Sequence, residues 1–489
     1  MKKNLYQLII GRLDGERIRN ESYRAEMLDL VGKGIGGFIL FGGRMEEIIA
    51  FVDEVQALSG NTLFIAADVE RGVGQQIKGA KSFPCQMAVA AAIDMGKPRD
   101  RRILEKSLQA LADEAKYVGI NMPLIPVLDV NQDPDNPIIC TRAFSDDPHE
   151  VARFGRLYVK ILEKSGLISC GKHFPGHGDT PTDSHMLLPV ISKSRQNLLK
   201  VDIMPFREAI EEGVSSIMIG HLLIPSVDDR PASLSKELIT NLLRKELCFD
   251  GLILTDALNM QALNNMENVP AQCIKAGADV LLHPAAPDIT VQELMNGLAS
   301  GEITEKDIGE ALMRIKAAKR RFQRCSVKNI GYQQHMKFSS ELTDMSISIV
   351  KNTPGVLPLE QFDDVGVVFA GDHELFRTSP LNDCFRDVSE AEKTIELEKN
   401  SRVFAIFTNV AAWKGSSGIT DEEKKRIKYL IRKASRSIVI SFGSPYVLRH
   451  FPEADILIAA YEATELAQKA VIKCLNGTMD MRGRLPVGL

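Results

Sequence analysis

Gly171-Lys172-His173-Phe174-Pro175-Gly176-His177-Gly178-Asp179-Thr180-Pro181-Thr182-Asp183-Ser184-His185 carries three histidines, two aspartates and a lysine among three glycines and two prolines. The apolar run 167–173 that leads into it reads as a strand. Beyond His173 the Gly and Pro content can continue neither a helix nor a central strand, so the segment leaves the scaffold as a loop whose polar groups can meet a ligand. The fold question is therefore which scaffold ends a strand on such a loop.

Working outward, short β-rich apolar runs alternate with longer amphipathic stretches through the first two-thirds of the chain, the rhythm of parallel strands joined by helical crossovers. Strands are expected at 37–41, 63–68, 124–129, 167–173, 216–220, 252–256 and 280–283. Helices are expected at 45–58, 101–117, 148–164, 196–211, 236–246 and 305–321. Two of the helices carry start signals: Asp147 before Pro148 with Glu150 reaching back, and Thr304 with Asp307. Asp68, Asp129, His173, His221 and Asp256 each fall at or just past the C-terminal end of an expected strand. Parallel α/β barrels place their active sites on that face, whereas an open doubly wound sheet gathers ligands at one switch point. The fold class is accordingly α/β, a (β/α)8 TIM-like barrel of roughly eight strands followed by a second, smaller α/β unit.

The barrel is expected to span 1–325, closing with the helix at 305–321. A linker at 326–345 follows, in which 333–340 reads as part of a polar connector that begins at 322–328. The second domain, 346–489, has expected strands at 365–371, 403–408, 437–442 and 456–461, and a helix introduced by the Thr420-x-x-Glu423 capping box. Gly32-Lys33-Gly34-Ile35-Gly36-Gly37 formally matches G-x-G-x-x-G, but it follows a helix and leads into a strand. A dinucleotide fingerprint needs the reverse order, so this is a helix-ending turn.

Composition excludes several function classes. The 489 residues are 44% hydrophobic and 25% charged, with 60 Lys plus Arg against 64 Asp plus Glu and a net charge of −4. Without a basic field there is no expectation of nucleic acid or of an anionic membrane surface, and the partner is expected to be a small molecule. Two lysines before the apolar run 5–10 give the start a superficial likeness to a signal peptide, which Arg12, Asp14 and Glu16 cut short. No segment is apolar for long enough to span a bilayer. Eight scattered cysteines read as buried free thiols, and the expected location is the cytoplasm.

The loop admits three readings. His173, His177, Asp179, Asp183 and His185 could ligate a zinc-type ion, although the spacing is not H-E-x-x-H and no cysteine joins them. They could merely hydrogen-bond the loop to itself, a task that does not need histidine. The third reading is acid/base catalysis. In an extended Asp183-Ser184-His185 the carboxylate and the imidazole point to one side, so Asp183 fixes the orientation of His185 and favours its protonated form. A proton donor of this kind needs a nucleophile elsewhere on the rim. Asp256, where the apolar strand 252–256 gives way to its loop, is the candidate, with helix N-capping as its alternative role.

At these residues the chain resembles glycoside hydrolase family 3, in its bacterial β-N-acetylglucosaminidase branch. The likeness is carried by Lys172-His173-Phe174-Pro175-Gly176-His177-Gly178-Asp179-Thr180 with Asp183-x-His185, by Thr255-Asp256-Ala257-Leu258-Asn259-Met260, and by Asn136-Pro137 with Thr141-Arg142-Ala143-Phe144. It runs from Gly36-Gly37-Phe38-Ile39-Leu40-Phe41 to Gly483-Arg484-Leu485-Pro486-Val487 and is strongest in the first domain; it implies that the second, smaller domain is an α/β sandwich domain. By that resemblance Asp256 is the nucleophile of a covalent glycosyl-enzyme, His185 the general acid/base and Asp183 its partner. Asp68, Arg142, Lys172 and His173 bind the sugar. One departure is Asp68-Val69-Glu70-Arg71-Gly72-Val73-Gly74-Gln75-Gln76, where many relatives have Gln after the Asp and paired glycines after the Glu; it bears on contacts beyond the terminal sugar.

The resemblance implies an exo-acting retaining β-N-acetylglucosaminidase with no metal or organic cofactor, acting on muropeptides or other N-acetylglucosamine-containing fragments and so serving cell-wall recycling. Three alternatives accompany it: a β-glycoside phosphorylase using the same Asp/His machinery, since a neutral histidine does not repel phosphate; another family 3 β-glycosidase specificity; and a sugar-binding protein without turnover.

Overall fold

The computed structural model describes residues 2–180, 188–264, 266–321, 330–394, 400–410 and 416–489. They form two compact units. The first comprises Met1–Ser82, Glu105–Val130 and Pro148–His335, and the second Phe83–Leu104, Asn131–Asp147 and Met336–Leu489.

The first unit holds eight strands: β1 (Ile9–Asp14), β2 (Gly37–Phe41), β3 (Phe64–Ala67), β4 (Met122–Pro123), β5 (Cys170–Phe174), β6 (Ser216–Ile219), β7 (Leu252–Thr255) and β8 (Leu281–Leu282). They lie in two parallel arcs, β4-β3-β2-β1-β8 and β5-β6-β7. Parallel bridges between Val127 and Lys172 and between Leu254 and Val280 join the arcs into a ring in chain order. Strands β3, β5, β6 and β7 are buried at every residue, as parallel strands covered on both faces by helices must be.

Six of these strands fall where the sequence places them. The strand expected at 124–129 is instead the short β4, Met122–Pro123, just before that stretch. The first strand, β1, pairs Ile10 with Gly37 and Ile9 with Leu281, which places it between β2 and β8. Its second half, Arg12 and Asp14, is polar because it emerges at the barrel mouth, and that polarity disguises the strand in the sequence. The helices Met45–Leu58, Pro148–Lys164 and Glu305–Arg321 begin and end where expected. Thr304 and Asp307 exchange hydrogen bonds at the start of the last of these, a reciprocal cap. Helix Glu21–Lys33 ends at Gly34, whose φ of 92° lets its N–H donate to Leu30 and Val31, so the Gly32–Gly37 stretch is a helix-ending turn.

Other expectations need correction. Residues 333–340 are not a connector but part of the helix Tyr332–Ser346. Buried Ser339, Leu342 and Thr343 give it an inner face, which its polar composition hides. Nor are all the thiols buried: Cys248 is exposed, at a turn with φ of 54° between the segment Glu237–Glu246 and β7. The helix expected at 196–211 is interrupted by a wider-turned stretch, Leu198–Asp202, before Met204–Glu212. Residues 322–328, read as connector, lie outside those described.

The second unit is built on a six-stranded sheet, β9 (Ser348–Asn352), β10 (Val365–Gly371), β11 (Asp387–Glu390), β12 (Ser401–Phe407), β13 (Arg436–Phe442) and β14 (Ile456–Ala459). Its order is β11-β10-β12-β13-β14-β9, with only β9 antiparallel. Val368, Phe404 and Val439 pack on one face and Val367, Val403 and Ile438 on the other, so both faces are covered. The first of these cores also takes Cys85, Met87, Ala88 and Cys140, and thereby ties Phe83–Leu104 and Asn131–Asp147 to this unit rather than to the barrel. Thr420 and Glu423 form the expected capping box of helix Asp421–Ile431.

Candidate active site

The C-terminal ends of the barrel strands carry the polar residues expected there. Lys172, on β5, is 1% exposed, and its Nζ lies 2.6 Å from Asp68 Oδ1 beyond β3 and 2.8 Å from Glu70 Oε1. Two carboxylates therefore surround one buried cation. Such an arrangement holds the lysine charged and Asp68 oriented, and a hydroxyl entering it would meet both a donor and an acceptor.

His173 follows Lys172 through a cis peptide and faces Asp129, beyond β4. Its Nδ1 donates to Asp129 Oδ2 over 2.7 Å, and its backbone N–H reaches both carboxylate oxygens at 3.2 Å. A further N–H, from His177, donates to Asp129 Oδ1 over 2.7 Å. Burial alone would raise the pKa of Asp129, but the neighbouring His173 and His177 and their hydrogen bonds hold it below the usual carboxylate range. The His177 ring meets His173 edge-on at 6.2 Å, and burial pushes it down to about 4.

After His177 the chain is held close to the barrel. Gly176 has φ of 126°, and a Cβ there would come within 2.7 Å of Asp202 Cβ, so only glycine fits. Lys193 joins Asp202 at 2.8 Å and Asp179 at 2.9 Å, one contact on the outgoing limb of the loop and one on the segment Leu198–Asp202. Asp183 and His185 lie outside the described residues.

Asp256 stands just past β7. Its N–H donates to Ile219 O over 2.8 Å, and its Oδ1 accepts the Ala257 N–H at 2.7 Å, which fixes the carboxylate toward its own loop. No helix begins there; the next is the short turn Gln261–Leu263, so the capping alternative is not what the backbone does. His221, buried beyond β6, is 3.2 Å from Ala257 O and 2.8 Å from Ser233 Oγ. The carbonyl can only accept, so Nε2 carries the proton and Nδ1 accepts from the serine. His221 thus braces the Asp256 loop.

The barrel unit thereby brings Asp68, Lys172, His173 and Asp256 onto one rim. Arg142 belongs to the second unit, where it donates to Ile138 O over 3.2 Å. One rim residue escaped the sequence reading. His283 directly follows β8, is 7% exposed, and lies under the charges of Arg12, Asp256 and Asp68. The signal was present, a polar residue ending a strand, but Pro284 beside it reads as loop punctuation. Among the described residues, no three His, Cys, Asp or Glu side chains are grouped to hold a metal ion, and no helix is long and apolar enough to cross a membrane.

Fold and rim together define a (β/α)8 barrel with a polar rim and an accompanying α/β domain. The description "Glycosyl hydrolase family 3 N terminal domain" matches residues 2–318, and the chain belongs to that family. Beta-hexosaminidase A of Pseudoalteromonas piscicida is 32% identical over 377 residues, 68% of this chain and 62%, less than two-thirds, of that protein. A beta-N-acetylglucosaminidase/beta-glucosidase of Cellulomonas fimi is 27% identical over 93% of this chain and 89% of its own length. Among solved structures, a glycoside hydrolase family 3 beta-N-acetylglucosaminidase from Paenibacillus sp. superposes with a TM-score of 0.85 at 26% identity, covering all of this chain and 99% of that one.

Proposed function

We propose that the protein is an exo-acting retaining β-N-acetylglucosaminidase, releasing terminal N-acetylglucosamine from β-glycosides, with muropeptide fragments in the cytoplasm as its natural substrates. The observation that carries this reading is the shared rim: the Asp256 carboxylate and the buried Lys172–Asp68 pair stand on strands of one closed barrel. Full-length likeness to proteins named for N-acetylglucosaminidase activity supports the choice of sugar.

In the proposed mechanism Asp68, Lys172 and His173 hold hydroxyls of the terminal sugar. Asp256 attacks the anomeric carbon from below as the glycosidic bond breaks. His185, held by Asp183, gives its proton to the departing oxygen. Water then enters, His185 takes a proton from it, and the Asp256 ester is cleaved with net retention. Positioning supplies much of the rate, because the sugar is fixed by a rim that is already assembled.

A panel of aryl β-glycosides tests the reading. The N-acetylglucosaminide should be cleaved in preference to the glucoside and the xyloside, and Asp256→Ala and His185→Ala should each abolish most of that turnover. Unchanged hydrolysis in either variant, or a preference for the xyloside, would overturn the assignment.

A further inference from the structure

Bonds between β7 and β8 bring His283 beside Asp256. Thr255 N–H donates to Val280 O over 3.0 Å, Leu282 N–H to Thr255 Oγ1 over 3.0 Å, and Leu258 N–H to Leu282 O over 2.9 Å. His283 is therefore the first side chain past β8, next to the loop that carries the nucleophilic carboxylate. Its φ of 46° lies in the left-handed region, rare for a residue with a Cβ, and its N–H is tied to Ile10 O over 2.7 Å. Such a conformation at a strand end aims a side chain where the regular strand would not. The ring lies 5.5 Å from Phe41, which also carries the Arg12 guanidinium at 4.7 Å.

We propose that His283 reads the substituent at C2 of the terminal sugar and, by hydrogen-bonding the acetamido group, sets the preference for an N-acetylated substrate. This rests on the function proposed above. With the anomeric carbon over Asp256 on β7 and the Lys172–Asp68 pair on the β3–β5 side, the hydroxyl-bearing edge remote from C1 faces β3 and β5. The C2 substituent, one bond from C1, then faces the edge nearest Asp256, where β8 ends in His283. An amide extends far enough to reach an imidazole there, whereas a bare hydroxyl is shorter by two heavy atoms.

The charge state suits the task. Burial and the Arg12 charge push His283 down to about 4 against the opposing pull of Asp256 and Asp68, so the ring is neutral at ordinary working pH. A neutral imidazole offers one donor and one acceptor to an amide without placing a second cation beside the nucleophile.

The test compares 4-nitrophenyl N-acetyl-β-glucosaminide with the matching glucoside for the wild type, His283→Ala and His283→Gln. In His283→Ala the ratio of kcat/KM values should fall by about 10- to 100-fold through loss on the N-acetyl substrate, with the glucoside changed by no more than about threefold. His283→Gln, which keeps a donor, should recover part of the ratio and also serves if the alanine variant does not fold. An equal loss on both substrates, or an unmoved ratio in an enzyme whose wild type prefers the N-acetyl substrate, overturns the role of His283 alone. A wild type inactive on the N-acetyl substrate overturns the substrate assignment together with it.

Discussion

Lys172 Nζ sits 2.6 Å from Asp68 Oδ1, and the lysine is almost wholly buried while the aspartate is 29% exposed. The pair thus has a sealed end and an open end: Glu70, 6% exposed, closes the sealed end at 2.8 Å. Replacing Lys172 by Met removes the proposed sugar donor and leaves two carboxylates facing each other. Loss of one partner from a buried pair costs about 3–5 kcal/mol. Lys172→Met should therefore show both a lower urea midpoint and a drop of at least ~100-fold in kcat/KM. Lys172→Met with Glu70→Gln should regain stability but not activity, a separation that urea titration and steady-state kinetics read directly.

Gly176 and Lys193 test how the loop is rooted. A methyl at Gly176 meets Asp202, and the φ of 126° is itself costly for alanine, so Gly176→Ala should be destabilising by roughly 1–3 kcal/mol. Lys193→Met releases Asp179 from Asp202 and takes the lysine charge away from a buried carboxylate. If the clamp matters for the chemistry, Lys193→Met should lower kcat more than it raises KM, and Lys193→Arg should restore part of kcat. A change in KM alone would show that the clamp serves only the sugar pocket.

Much of this site was legible because barrel chemistry is written at strand ends. Asp68, Asp129, His173, His221 and Asp256 share one sequence signature, an apolar run stopped by a polar residue, and all five stand at the rim. What was hidden follows from the same geometry. Arg12 and Asp14 make β1 look like the end of an apolar run, because a strand that emerges at the mouth is polar there. His283 follows a strand of only two residues and precedes a proline, so local pattern gave it no weight. The interleaving of the two units was also invisible, since the attachment of Phe83–Leu104 and Asn131–Asp147 depends on contacts hundreds of residues away, such as Cys85 N–H to Glu462 and Asn131 to Tyr446.

Leaving-group dependence distinguishes the proposed role of His185 from simple binding. Proton donation matters most when the departing oxygen is a poor leaving group and little when it departs unaided. His185→Ala should lose about 10²- to 10⁴-fold on a disaccharide or methylumbelliferyl glycoside and markedly less in the glycosylation step of a dinitrophenyl glycoside. Azide should rescue turnover of the latter and yield the β-glycosyl azide. Equal losses across leaving groups would remove His185 from proton transfer. The same assays run with added inorganic phosphate should still give the free sugar as main product, and accumulation of the sugar 1-phosphate would replace hydrolysis by phosphorolysis.

Acid should unfold the protein in two stages, and His177 sets the first. Its ring is buried and its folded pKa is depressed to about 4, whereas an unfolded histidine titrates near about 6.5. Between those values the unfolded chain binds a proton that the folded chain refuses, so stability is complete above about pH 6.5 and declines as pH falls toward 4, by roughly 3 kcal/mol for this one group. Asp129 works in the next window down. Its folded pKa lies below that of an unfolded aspartate, so the stability it contributes is present above about pH 4 and is lost as pH falls further. His177→Asn, which cannot take up a proton, should flatten the dependence of unfolding free energy on pH between about 6.5 and 4 while leaving the steeper loss below 4 in place. Urea titrations of both proteins at pH 7.5, 5.5 and 4.5 measure the slope. Parallel curves for wild type and variant would mean that His177 does not remain neutral in the folded state.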